Sequence, residues 1–242
     1  MTRGGGTPDG AASRRMEARL NVLRSGSDVE RTIFFSDAVF AIAMTLLVLE
    51  LRVPEASADV SAHAFAEAVA EKVPAFIAFV LSFVIIGLTW LTHHRRFKAL
   101  AAYDTRLQLA NLGMLFFVAF MPVPTGMLFQ HSGGSPIPPM LYAATIVGIF
   151  GMLDLAWWHA WRSGLLKEHV TPALYRFTAA ALRPALLVFL LSIPLALISP
   201  NGAEYAWLTL WPLAALNGRW QKRRFVRAET SATTATGDPA TA

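Results

Sequence analysis

RTIFFSDAVFAIAMTLLVLEL, residues 31–51, sets an arginine and an aspartate at the start of an apolar run long enough to cross a bilayer. A hydrocarbon core of about 30 Å takes roughly 20 helical residues, and an acid inside such a span is costly enough to need a partner or a function. At 3.6 residues per turn, Ala38, Ile42, Thr45 and Leu49 fall in one narrow stripe, with Asp37, Ala41, Met44 and Val48 in the next. The stripe has two readings. It can line a symmetric pore, where rings of Ile42 or Leu49 form an apolar constriction that gates by dewetting and Thr45 supplies the one polar oxygen. Alternatively it packs against other helices or lipid, with the Thr45 hydroxyl bonded one turn back. Periodicity alone favours packing, because apolar stripes at this spacing are common in helix interfaces.

Outward from this segment, the 242-residue chain is 55% hydrophobic and only 15% charged, which places it among all-α integral membrane proteins. Its net charge of +5 would suggest nucleic acid in a soluble protein. Here the basic residues sit between apolar segments, as membrane topology requires, and no nucleic-acid partner is expected. With no cysteine, disulfides, thiolate catalysis and Cys-type zinc sites are excluded. Six spans are predicted: Ile33–Val53, Val73–Thr92, Thr105–Phe129, Met140–Trp161, Leu174–Ile198 and Ala203–Leu216, the last short and interrupted by Pro212. They lie in a domain of residues 31–225, between tails of residues 1–30 and 226–242 whose composition predicts disorder.

Positive charge sets the orientation. Arg14, Arg15, Arg19 and Arg24 precede span one; Arg95, Arg96, Lys98 and Arg106 join spans two and three; Arg162, Lys167 and Arg176 join spans four and five. Arg219, Lys222, Arg223, Arg224 and Arg227 follow span six, whereas the opposite side carries only Arg52 and Lys72, so both termini are expected in the cytoplasm. Asp37 then lies about one turn inside the cytoplasmic end of span one. Depth along antiparallel spans nominates Trp90, His94 and Asn111 as the side chains that join Ser36 and Asp37 in an interhelical network. Arg31 either joins that network or snorkels to lipid phosphate.

The combination Arg31, Phe35, Ser36, Asp37, the continuation AVFAIAMTLLVLEL and Pro54, with WLTHHRRF in span two and NLGMLFFVAFMPVPT in span three, resembles the prokaryotic branch of the transmembrane protein 175 family of potassium channels. The resemblance covers roughly residues 30–225. It implies a homotetramer of six-helix subunits in a bacterial cell membrane, whose first helices line a central pore without a carbonyl filter loop. It also places the constriction at Ile42, Thr45 and Leu49, and makes Arg31 and the Phe-Ser-Asp triplet fasteners between helices rather than ion ligands. Potassium is the implied permeant ion, held only transiently. Animal members carry two six-span repeats; this chain has one.

Other constellations point elsewhere. Asp154 and Arg183 stand at comparable depths in spans four and five and are expected to form an intramembrane ion pair rather than a proton relay. His93, His94 and His159 read as interfacial, since adjacent histidines on a helix point about 100° apart and no carboxylate follows at ligand spacing; no metal site or cofactor is expected. No nucleotide loop, activated nucleophile or hydrolytic carboxylate pair is present, so the chain does not read as an enzyme. The expectation is a potassium-preferring, passive, leak-type channel. The competing readings are a proton-coupled secondary transporter using Asp37 or Asp154, which would show broken helices meeting at the midplane in corresponding halves, and a non-conducting membrane scaffold.

Overall fold

The computed structural model describes residues 29–51, 61–130, 134–210, 212–213, 215–221 and 223. Nearly all of the two predicted tails lies outside the described residues. Among the described residues, five helical segments are long and apolar enough to cross a membrane: Val29–Leu49, Val73–Lys98, Thr105–Leu128, Ile137–Arg162 and Pro172–Ile198.

Helix α1, Val29–Leu49, opens with Glu30 in its first turn, where a negative charge complements the helix dipole. A short helix α2, Ala62–Ala70, follows and is capped by the Ser61 hydroxyl, which accepts from the Ala64 N–H at 3.2 Å. Helix α3, Val73–Lys98, begins with Pro74, whose missing N–H costs nothing in a first turn, and ends on Arg95, Arg96 and Lys98. It runs about a turn and a half beyond the predicted end at Thr92, so these three basic residues belong to the helix rather than to a loop. Asp104 caps α4, Thr105–Phe120, by accepting from Leu107 N–H at 2.8 Å.

Proline divides three of the later segments. The third span breaks at Met121, ahead of Pro122 and Pro124, and continues as α5, Pro122–Gln130. After α6, Ile137–Arg162, the fifth span consists of α7, Pro172–Ala180, and α8, Arg183–Ile198, split at Ala181 and Leu182. Pro184 has no N–H to give the Ala180 carbonyl; that oxygen instead accepts from Asn217 Nδ2 at 3.1 Å. Such rescue by a neighbouring side chain is what allows a broken helix inside hydrocarbon. The predicted sixth span is likewise interrupted. Helix α9, Pro200–Trp207, ends in a turn at Leu208 and Thr209, one turn before Pro212, and helix resumes in the described residues beyond. It is not one of the five long apolar segments found among the described residues.

The bundle packs around α6, which lies against α4 and α8, while α1 rests on α3, α4 and α5. One apolar core joins Phe40, Leu47, Ile86, Met114, Val118, Tyr142, Ile149 and Phe189. A second, at the end that carries the α1 N-terminus, joins Ile33, Phe97, Leu107, Ala110, Ala156 and Ala160. Buried hydroxyls tie the first core together: Ser82 Oγ lies 3.0 Å from Thr125 Oγ1 and 3.1 Å from the Tyr142 hydroxyl. Trp207 Nε1 donates to Ser192 Oγ at 3.2 Å and its ring stacks on Tyr142 at 4.8 Å. In hydrocarbon, where apolar packing gains nothing from excluding water, such bonds between helices help to hold the bundle together.

Candidate functional site

Helix α1 has two chemically different faces. Ile33, Ser36, Phe40, Ala43 and Leu47 recur at alternating three- and four-residue intervals and are buried against the bundle. Ala38, Ile42, Thr45 and Leu49 stand on the opposite face and are exposed in the single chain, Ile42 at 58% and Leu49 at 70%. Phe35 is exposed beside them at 56%. The Thr45 hydroxyl donates to the Ile42 carbonyl at 2.7 Å, so its proton is committed to the backbone and its lone pairs remain on the open side. Arg31 occupies the exposed start of the same face.

The buried face is fastened by polar side chains one turn from the helix start. The Ser36 hydroxyl donates to the Thr32 carbonyl at 2.8 Å and accepts from Asn111 Nδ2 at 3.0 Å. The amide oxygen of Asn111 lies 2.9 Å from His93 Nε2, which must carry the proton for this contact to be a hydrogen bond. His93 also stacks on Phe97 at 4.0 Å and lies 5.5 Å from Phe40. Ser36, His93 and Asn111 are all buried, so each missing bond would leave a polar group dry. Asp37, only half-buried, accepts from Trp90 Nε1 at 2.7 Å. Its other oxygen lies 3.6 Å from His94 Nδ1, too long for a hydrogen bond but within Coulombic reach.

Trp90, His94 and Asn111, nominated by depth, are thus the side chains that face the Ser36–Asp37 pair. His93 is the member that reading by depth passed over. It is fully buried rather than interfacial, because the 100° between successive helix positions turns it toward Asn111 while His94 turns toward Asp37.

The expected Asp154–Arg183 pair is not formed. Asp154 accepts from Arg96 Nη1 at 2.8 Å, and the same guanidinium donates to the carbonyls of Leu153 at 3.1 Å and Thr178 at 2.9 Å. Its carbon lies 5.6 Å from the Trp157 ring centre. Arg183 is exposed in the first turn of α8. The longer α3 explains the exchange, since its last turns carry Arg96 inward between α6 and α7. A second clasp lies just beyond the helix ends. Asp104 accepts from His159 Nε2 at 2.8 Å, and the chain around Leu100 pairs antiparallel with that around Leu166. Burial works against the charged form of Asp104, but the Leu107 N–H, the bond from His159 and the nearby charges of His159 and Arg106 outweigh it, and the carboxyl titrates below its ordinary range.

Among the described residues no group of three or more His, Asp or Glu side chains could hold a metal ion. What the arrangement offers is one helix whose polar groups anchor it inward and whose open face, past Arg31 at its start, is apolar apart from Thr45.

A family model described as "Endosomal/lysosomal potassium channel TMEM175" matches residues 31–122. A potassium channel of Streptomyces collinus is 36% identical over 137 residues, covering 55% of this chain and 65% of that protein. A potassium channel of Chamaesiphon minutus is 34% identical over 136 residues, covering 55% of this chain and 66% of the relative. The match therefore spans just under two thirds of the length of each. The crystal structure of a lysosomal potassium-selective channel TMEM175 homolog from Chamaesiphon minutus superposes with a TM-score of 0.61 at 28% identity, over 82% of this chain and 98% of that one.

Proposed function

We propose that the chain is a member of the TMEM175 family, to which it is similar over residues 31–122, and that it is a potassium-preferring cation channel of the bacterial cell membrane, assembled as a homotetramer around four copies of α1. The observation that carries this reading is the division of α1 described above. Serine, aspartate and their partners hold one face to the subunit, leaving Ile42, Thr45 and Leu49 uncovered on the other. A single such face, apolar and open to lipid, would be unremarkable. Four of them around an axis enclose a path whose narrowest rings are hydrocarbon.

In this assembly the ring of Ile42 side chains admits an ion only as its water is shed or rearranged, and potassium gives up its hydration shell more easily than sodium. Thr45 lone pairs offer the passing ion a partial replacement. Conduction is passive and leak-type, with Arg31, Ser36 and Asp37 holding the helix rather than touching the ion. The excess of Lys and Arg in the helix ends and connections on the side of the α1 N-terminus supports a cytoplasmic location for both termini. Six spans per subunit follow if the interrupted segment from Pro200 onward crosses the membrane with a tilt.

The test is potassium and sodium flux through the purified full chain in liposomes, together with its oligomeric state. Ile42→Asn is expected to wet the constriction, raising flux and weakening the preference for potassium. Unchanged flux and selectivity in that variant, or a monomeric conducting species, would refute the assignment.

A further inference from the structure

Glu50 is the first residue past α1 and follows Leu49 directly, at the end of the helix opposite the polar anchor. Its backbone closes the helix with a bond to the Leu47 carbonyl at 3.3 Å. Its carboxylate lies against Gly126 of α5. A Cβ built on Gly126 would overlap Glu50 Oε2 and sit 2.9 Å from its Cδ, so the carboxylate would have to move if this position bore a side chain. Gly126 is itself buried, and it is delivered to this position by the break at Pro122, which restarts the third span as α5 alongside the end of α1. The carboxylate has no hydrogen-bond or ionic partner among the described residues, and it is half-buried.

This placement is unfavourable for the fold taken alone. A helix C-terminus already carries roughly half a negative charge, and an acid there adds charge of the same sign with no cation against it among the described residues. The bare backbone of Gly126 nevertheless leaves the acid a place close to the end of the stripe. Resting on the pore reading above, we propose that Glu50 is a conduction-determining residue. Positioned by Gly126, it forms with its three symmetry mates and the four α1 C-termini a negative collar at the outer mouth that concentrates monovalent cations ahead of the Leu49 ring. The collar acts through its field rather than by coordination, because Glu50 lies about 120° around the helix from Ala38 and so points away from the stripe.

A field of this kind is recognised by its salt dependence. Single-channel conductance of the full chain in planar bilayers is measured in 10 mM and 1 M KCl, where the screening length is about 30 Å and about 3 Å. Glu50→Gln, which keeps the shape, is expected to conduct about threefold less than the wild type in the dilute solution and equally well in the concentrated one. The potassium-to-sodium ratio should not change. Glu50→Asp should restore most of the loss. Gly126→Ala, which displaces the carboxylate, should alter dilute-salt conductance when Glu50 is present and have no further effect in Glu50→Gln. In the wild type itself, millimolar Mg2+ on the outer side should reproduce the Glu50→Gln deficit. Equal conductance of wild type and Glu50→Gln in dilute salt overturns the proposal, as does a deficit that persists in 1 M KCl, the mark of a steric role. A conducting wild type with an inert Glu50 sinks the collar and leaves the channel reading standing; a wild type that conducts no cation sinks both.

Discussion

Replacing Arg96 by Met keeps an unbranched, shorter stem and removes the charge and its three hydrogen bonds, to Asp154 Oδ1, the Leu153 carbonyl and the Thr178 carbonyl. Arg96 is buried, and the Asp154 side chain is 26% exposed, so the aspartate left behind has only partial access to water. Breaking a buried pair from one side typically costs about 3–5 kcal/mol, chiefly through the stranded partner. The partial exposure of Asp154 places the expected loss near about 3 kcal/mol. Asp154→Leu strands the arginine instead and should cost a similar amount, while the double variant removes both charges and should recover about 2 kcal/mol or more of the summed loss. Arg183→Met, at an exposed position, should not destabilise by more than about 0.5 kcal/mol. The assay is reversible unfolding of the full chain in mixed micelles by added SDS, read as a double-mutant cycle. A cycle without coupling between Arg96 and Asp154, or an Arg183 variant as damaging as the Arg96 one, would refute the assignment of the pair.

Two further outcomes are expected. Asn111→Ala strands His93 Nε2 in a dry environment and takes the donor from Ser36 Oγ, which keeps its bond to the Thr32 carbonyl; about 1–3 kcal/mol should be lost in the same unfolding assay, and a loss under about 0.5 kcal/mol would show that the network does not fasten α1. Asp104, its carboxyl held below the ordinary range by the Leu107 N–H and His159 against the opposing effect of burial, contributes stability that is complete above the unfolded-state value of about 3.9 and fades as pH falls through the lower folded value. Asp104→Asn, which still caps α4, should therefore show a shallower loss of stability below about pH 4. An acid limb identical to that of the wild type would exclude this role.

Depth was legible from the chain, and azimuth was not. Counting residues from the membrane surface puts Asp37, Trp90, His94 and Asn111 at one level, because every helical residue rises by about 1.5 Å. The same count put Asp154 level with Arg183, but it could not say which way either points or that α3 would continue past Thr92 and bring a different arginine to the aspartate. His93 was misread for a related reason: a histidine between polar neighbours near a helix end looks interfacial until the packing of Phe40, Phe97 and Asn111 around it is known. The breaks at Met121 and at Ala181–Leu182 precede prolines visible in the sequence, yet proline can kink a membrane helix or merely sit in it, as Pro194 does inside α8.

By itself the sequence determined that this is an all-helical membrane protein, where its apolar segments lie, and that residues 31–51 divide into a polar start and an apolar stripe, because length, hydropathy and a 3.6-residue repeat are properties of the local chain. Only the tertiary structure decided which face of α1 is held by Ser36 and which is left open at Ile42, Thr45 and Leu49, which arginine neutralises Asp154, and that Gly126 makes room for Glu50. Those depend on the rotation of each helix about its own axis and on where prolines interrupt it. Such rotation is set by the fit of side chains between helices distant in the chain, not by the spacing within any one of them.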